Sequence, residues 1–377
     1  MARSHYLDRA ATAVNEVADG LVGLHASDPV TVYLSLRARV QGFVIADLET
    51  ALYDDRSLVR MLGMRRTMFV VPTDLAAVMD ASCTKALGPP QRRLLTRMLE
   101  EQDVAGDGLG WLERVESETL AALTACGEAT LAELKKEIPE LGLTLRYGNR
   151  QKWAGEFGLG TRVLFLLATD ARVIRGRPLG SWKSSLYRWA PTAAWIGRPL
   201  EALDEKAASI DLVNRWLRSY GPGTFTDLKW WTGWTVTKTR ATLAAAGAIE
   251  VQLDEGTGYM PADGPDTPPD TGSWVALLPG LDPSVMGWKE RRWLLGEHEP
   301  ALFDRNGNAG ASAWVDGRIV GAWAQRPDGE IVLHLVEDVG ADATAALEAE
   351  AAHLSAWLGP ERVKPRFRTP LDKQLTG

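Results

Sequence analysis

The segment Leu21-Val-Gly-Leu-His-Ala-Ser-Asp-Pro29 gathers an imidazole (His25), a hydroxyl (Ser27) and a carboxylate (Asp28) within four positions, just ahead of a proline. An imidazole titrates near neutral pH and can take up or release a proton. A hydroxyl beside it can hold a water, and a carboxylate can stabilise a nearby cation or fix the His tautomer. In an extended segment alternate residues share a face, so His25 and Ser27 would point the same way. A structural reading competes: Ser27 or Asp28 caps the next helix, and His25 is a satisfied boundary histidine. Spacing alone favours the cap.

Other chemistries are set aside by what the chain lacks. There is no GxxxxGK[ST], no GxGxxG after a strand, no HExxH and no GxSxG. The five histidines (His5, His25, His298, His334 and His353) are scattered without metal-ligand spacing, and two cysteines, Cys83 and Cys126, make neither a disulfide framework nor a full zinc site. No metal and no organic cofactor is expected. The longest apolar run, 163–168, is far too short for a bilayer span, and the first residues carry no apolar signal region. A cytoplasmic protein with no membrane partner is the expectation.

The 377 residues carry a net charge of −7, unevenly spread. Residues 146–198 hold ten cations against Glu156 and Asp170, a local net of +8, and residues 56–97 hold eight against Asp74 and Asp80. Residues 328–359 contain seven acids and no Lys or Arg. Local potential, rather than net charge, attracts a polyanion, so this asymmetry fits a phosphate-binding face as well as it fits a solvated one. Arg150, Lys152, Arg175, Arg177 and Lys183 are the best phosphate contacts on this count. The 15 Trp, against 7 Tyr and 7 Phe, either fill the core or line a groove for a planar ligand. Trp230, Trp231 and Trp234, at helical spacing, read as core.

Helical periodicity is expected over 6–24, 31–40 and 47–53, then a β-run over 66–71 ended by Pro72. That order recurs. Residues 118–125 read as a helix, 127–134 open a second with Thr130 as N-cap, 152–168 suit a third, and 171–175 form a strand with Gly176-Arg-Pro178 as a wing tip. Gly221-Pro-Gly-Thr-Phe-Thr-Asp-Leu228 then parallels Gly127-Glu-Ala-Thr-Leu-Ala-Glu-Leu134 around its Thr and Leu. It follows a helix over 212–220 and leads to another over 235–246 and a strand over 248–253. Residues 259–272, rich in Pro, Gly and Asp, read as a linker. Beyond it come β-runs over 274–278, 311–315, 318–324 and 331–335, with Asp316-Gly317 and Asp328-Gly329 as hairpin turns. A helix over 341–358 closes the chain, and Arg362-Val-Lys-Pro-Arg-Phe-Arg-Thr369 is basic again. The class is α+β: three tandem winged helices (1–100, 101–200, 201–258), a linker (259–272) and a β-rich C-terminal domain (273–377).

Taken together, several stretches resemble the AlkZ/YcaQ (AlkX) family of winged-helix DNA glycosylases: residues 23–43, Met64-Arg-Arg-Thr-Met-Phe-Val-Val-Pro72, the Trp230-Trp231 helix and Leu277-Leu-Pro-Gly-Leu-Asp-Pro-Ser-Val-Met-Gly-Trp-Lys-Glu-Arg291. The Asn306-Gly-Asn-Ala-Gly310 turn fits as well. The resemblance implies tandem winged helices and a barrel-like C-terminal domain around duplex DNA, acting as a monomer on N7-alkylated purines. Bulky adducts and crosslinks left by genotoxic natural products are included. Its catalytic Gln-x-Gln or Gln-x-Asp falls on His25-Ala26-Ser27, so both side chains are replaced here. His25, Ser27 and Asp28 become the candidate catalytic residues, and Arg37, Arg65, Arg66, Asn306 and Asn308 join the basic set as candidate DNA contacts. The alternatives are a non-catalytic DNA binder, either a regulator or a lesion sensor, and a protein that sequesters a planar antibiotic directly.

Overall fold

The computed structural model describes residues 1–8, 11–148, 155–254, 256–264 and 272–377. Helix accounts for 48% of the described residues and strand for 19%, and the ladders in its sheets are antiparallel, which makes the class α+β. The chain forms two compact units: Met1–Ala51 with Phe69–Val71 and Ile210–Gly377, and Leu52–Met68 with Pro72–Ser209. Among the described residues no helix is long and apolar enough to cross a membrane.

One order of elements occurs three times. The helix Val14–Gly20 precedes the two-residue strand Leu24–His25, the helices Pro29–Arg37 and Ile45–Glu49, and the strands Leu58–Leu62 and Met68–Pro72. In the second copy the helix Gly108–Cys126 precedes a single bridge at Ala129, the helices Leu131–Glu137 and Leu159–Thr169, and the strands Val173–Pro178 and Tyr187–Pro191. The third has the helix Glu205–Tyr220, the strand Gly223–Thr224, the helices Phe225–Thr232 and Val236–Ala245, and the strands Ile249–Leu253 and Gly256–Met260. The repeated Gly-x-x-Thr pattern has a direct structural meaning. Thr130 and Thr224 both cap their helices, each in a capping box with the acid three positions on, Glu133 and Asp227. The residue before each cap pairs with a late strand, Ala129 with Trp189 and Gly223 with Tyr259.

The core of the second unit is built from apolar stripes on its long helices, among them Leu95 and Leu99, Leu112 and Val115, and Leu159, Val163 and Leu167. Among the described residues eight tryptophans are buried, Trp216 and Trp314 completely, so the tryptophan excess serves mainly to fill the interior. The C-terminal sheet runs Val275–Leu278, Ser312–Val315, Arg318–Gln325, Ile331–Leu335 in spatial order, an open sheet rather than a closed barrel. Asp316 and Gly317 take φ 47° and 88°, the left-handed pair that a two-residue hairpin requires.

Several local expectations shift. The first helix starts at Val14, not residue 6, because residues 1–8 fold as turns that bury His5 and Leu7. The strand expected from residue 66 starts at Met68, because Arg65 and Arg66 both take positive φ (52° and 64°) and form a tight turn closed by Thr67 N–H to the Met64 carbonyl at 3.0 Å. Arg-Arg is an unusual choice for such a turn, which ordinarily selects Gly or Asn. Gly176-Arg-Pro178 lies within a strand, and the ribbon turns later, between Leu179 and Leu186. Residues 155–158, expected in a helix, form a strand paired with Thr144–Tyr147. Tyr259 and Met260, expected in the linker, end a strand; the rest of that stretch from 265 to 271 lies outside the described residues.

Candidate active site

The path into the motif is a sharp reversal. The helix Val14–Gly20 stops, Val22 and Gly23 adopt φ 52° and 99°, and the Gly23 N–H returns to the Ala18 carbonyl at 2.8 Å. Positive φ is costly for a β-branched residue, on the order of 1–3 kcal/mol, so tertiary packing must hold Val22 there. The chain then runs extended through Leu24–His25, antiparallel to Val70 and Phe69. His25 is 5% exposed, its ring 5.4 Å from that of Phe69. Ser27 is half-buried, and Asp28 opens the next helix.

Asp28 is the helix cap. One carboxylate oxygen accepts the Val30 N–H at 3.2 Å and the other the Arg366 N–H at 2.9 Å. The cap reading of the sequence therefore describes Asp28, while His25 lies on the short strand before it and Ser27 in the bend that joins the two. Asp28→Ala is expected to cost about 1–2 kcal/mol in urea unfolding, through one lost cap and one stranded N–H, and Asp28→Asn clearly less.

The helix Pro29–Arg37 is fastened along one stripe. Asp28, Thr31, Ser35 and Arg39 recur at helical spacing and face the 279–284 loop and residue 366. Thr31 donates to the Gly280 carbonyl at 2.7 Å, and Ser35 donates to Asp282 at 2.6 Å. Arg39 grips both oxygens of Asp282 at 2.6 and 2.9 Å and also donates to the His5 and Ser35 carbonyls and to Ser284 Oγ. Both partners of this pair are fully buried. Burial alone would raise the Asp282 carboxyl, but the Arg39 guanidinium and the surrounding donors hold it below its ordinary value. His5 lies in the same network, Nδ1 2.8 Å from Ser284 Oγ. Burial, with the Arg39 charge, pushes its imidazole down to about 3. The long stretch that carried the family resemblance, 277–291, thus contains the buried anchor of the motif helix.

The other candidates divide between the two units. Arg37 and Asn306 with Asn308 belong to the first. The Arg37 guanidinium is spent on Glu350 of the helix Ala341–Leu358 and is largely covered, so it faces that helix instead of solvent. Asn308 donates through its side-chain amide to Asp304 at 2.8 Å, and Asp304 also accepts the Asn306 and Asn308 N–H groups. The turn is therefore self-tied, with Asn306 exposed at its tip.

Arg65, Arg66, Arg175, Arg177 and Lys183 belong to the second unit. The Arg175 guanidinium lies over Trp189 and Tyr187 at 4.8 and 5.2 Å, and Arg177 lies over Tyr53 at 4.4 Å with Asp54 at 3.4 Å. Arg60 stacks on Tyr187 and Arg56 on Trp195 in the same way. Much of the basic run is thus an arginine–aromatic ladder, a use of cations that charge counting does not distinguish from phosphate binding. Lys183 is half-buried in the 179–186 turn, Arg65 is half-buried, and Arg66 is exposed at the rim of a cavity of about 530 Å³ floored by Leu95, Met98, Phe157 and Phe165. No tryptophan lines that cavity. Arg150 and Lys152 lie outside the described residues.

Sequence reading missed Arg366. It reaches the motif from 338 positions away, and its only advance signal was the basic composition of 362–369. Among the described residues no cluster of His, Cys, Asp and Glu could hold a metal ion.

The model of the family described as DNA glycosylase AlkZ-like matches residues 18–357, nine-tenths of the chain and all of the motif. The chain belongs to the AlkZ-like DNA glycosylase family. Among solved structures it is similar to the DNA glycosylase AlkZ of Streptomyces sahachiroi, with a TM-score of 0.72 and 20% identity over 97% of this chain and 96% of that one. Comparison with curated proteins gives no match. At that identity the AlkZ likeness speaks for the fold, and it extends over both compact units of this AlkZ-like chain.

Proposed function

We propose that this AlkZ-like protein is a monofunctional glycosylase that hydrolyses the N-glycosidic bond of N7-alkylpurines in duplex DNA, bulky and crosslinked adducts included, in repair or genotoxin self-resistance. The three repeats of element order are read as winged-helix modules, with the motif on the short first strand of the first. One observation carries the reading: His25, on a short paired strand, and Ser27, in the bend after it, are held between that strand pair and a capped, fastened helix.

N7-alkylation places a positive charge on the purine, so the base leaves readily and needs little protonation. What remains is to stabilise an oxocarbenium-like sugar and to hold a water beneath it. The Ser27 hydroxyl, half-exposed, binds that water, and the His25 imidazole orients it or accepts its proton. Asp28, committed to its cap, shapes the stretch and takes no proton. The motif contains no lysine, so Schiff-base lyase chemistry has no nucleophile there.

The 5% exposure of His25 favours a second reading, a non-catalytic winged-helix binder that recognises lesions or sequence. Incubation with duplex DNA carrying one N7-alkylguanine, followed by counting heat-labile abasic sites, separates the two. Abasic sites well above spontaneous depurination support the glycosylase. A rate equal to spontaneous loss, with tight binding kept, supports the binder.

A further inference from the structure

The C-terminal segment 362–369 lies beyond the residues that the family model matches, and it has a regular two-sided pattern. Val363 is buried, and Pro365 joins it in lining a small cavity with Val30, Thr31 and Leu34 of the motif helix. Arg362, Lys364 and Arg366 are exposed. This is the alternation of an extended chain with one face packed and the other cationic.

The segment is tied down at several points. The Val363 N–H donates to Gln325 Oε1 at 2.8 Å, and Gln325 Nε2 donates to the Glu361 carbonyl at 3.1 Å. The Arg366 N–H donates to Asp28, and Thr369 caps the final helix Pro370–Thr376. The cations differ in employment. Arg362 donates to the Pro327 and Asp328 carbonyls, and Arg368 pairs with Asp372. The side chains of Lys364 and Arg366 have no carboxylate partner among the described residues. Arg366 Nη1 instead reaches the Ser27 carbonyl at 3.3 Å, which brings an exposed, uncompensated guanidinium to the motif itself.

We infer that Lys364 and Arg366 form a two-point phosphate clamp that holds one strand of duplex DNA along the motif. Two residues of extended chain span roughly 6.4–6.8 Å, close to the separation of neighbouring phosphates on one strand. The strap is fixed by its own packing, so the cations are held in place before DNA arrives and little ordering is lost on binding. This inference rests on the DNA-directed reading of the site, and it concerns binding instead of bond cleavage.

The test is fluorescence anisotropy of an unmodified 20-base-pair duplex with the full chain over a series of salt concentrations. For the Lys364→Gln/Arg366→Gln variant the magnitude of the slope of log K against log salt is expected to fall by about 1.8, at roughly 0.9 per phosphate contact. Affinity at about 100 mM salt is expected to fall roughly ten- to a hundredfold, with the thermal midpoint unchanged. Arg366→Lys alone keeps the charge and should keep the slope. A double variant with wild-type slope and affinity overturns the clamp. Because no base is excised in this measurement, a protein inactive in the abasic-site assay that still shows the slope change supports the clamp and sinks only the glycosylase. An active protein without the slope change sinks the clamp alone.

Discussion

Exchanging Arg39 for methionine is expected to destabilise the chain by about 3–5 kcal/mol, a large share of the roughly 5–15 kcal/mol that holds an ordinary domain together. The substitution leaves the Asp282 carboxylate fully buried, with only Ser35 Oγ and the Ser284 N–H to satisfy it. It also leaves the His5 and Ser35 carbonyls and the Ser284 hydroxyl without the donor they share. Asp282→Asn acts in the same direction by leaving a buried guanidinium with neutral acceptors alone. Because the loss comes from the orphaned charge, the paired variant Arg39→Met/Asp282→Leu should recover part of it. Urea unfolding at neutral pH checks this: the midpoint of each single variant should drop with the m-value preserved, and a single variant with the wild-type midpoint would show the network to be idle.

The same network fixes a direction with pH. The His5 imidazole is depressed from 6.5 to about 3, so between those values the unfolded chain binds a proton that the folded chain refuses. Stability is therefore lost as pH falls below about 6.5, and the loss continues toward 3. Asp282, also depressed, adds a loss below the ordinary carboxylate value. The His5 ring resonances should stay fixed in NMR from about pH 8 to pH 4 while the fold persists.

What the sequence made legible follows from which forces are local. The Thr130 cap was readable, and Thr224 shares its pattern, because a capping box is written in four consecutive residues. The helix Ala341–Leu358 and the Asp316-Gly317 hairpin came out at the expected places for the same reason. Periodicity failed over residues 6–8 because the segment around His5 is shaped by contacts with Ser219, Ser284 and Arg39, more than thirty positions away. Charge counting found the basic runs but not their use, since a guanidinium stacked on Tyr187 or Trp189 has the same sequence signature as one waiting for phosphate. At the motif, residue types alone indicated the cap, whereas the extended segment expected through Ser27 ends at His25 and gives way to a bend. The division of labour between them depended on Arg366 and the strap, which no local pattern connects to residue 28.

His25→Ala is expected to lower single-turnover release of an N7-alkylguanine from duplex DNA by one to three orders of magnitude while DNA affinity hardly changes. General-base or orienting groups contribute about 10²–10⁴-fold, and the low end applies because the charged purine needs little help to leave. The imidazole lies against Phe69 within a strand pair, so its removal also opens a cavity, and truncation alone would confound chemistry with packing. His25→Gln resolves this. It fills most of the space and restores the hydrogen-bonding residue that the family resemblance places there, so it should retain far more activity than His25→Ala. Ser27→Ala, at a half-exposed position whose backbone carbonyl still meets Arg366, should lower the rate without a measurable change in stability. If His25→Ala and Ser27→Ala both turn over at the wild-type rate, the water is handled elsewhere. The motif then serves only to shape the strand that leads into the capped helix.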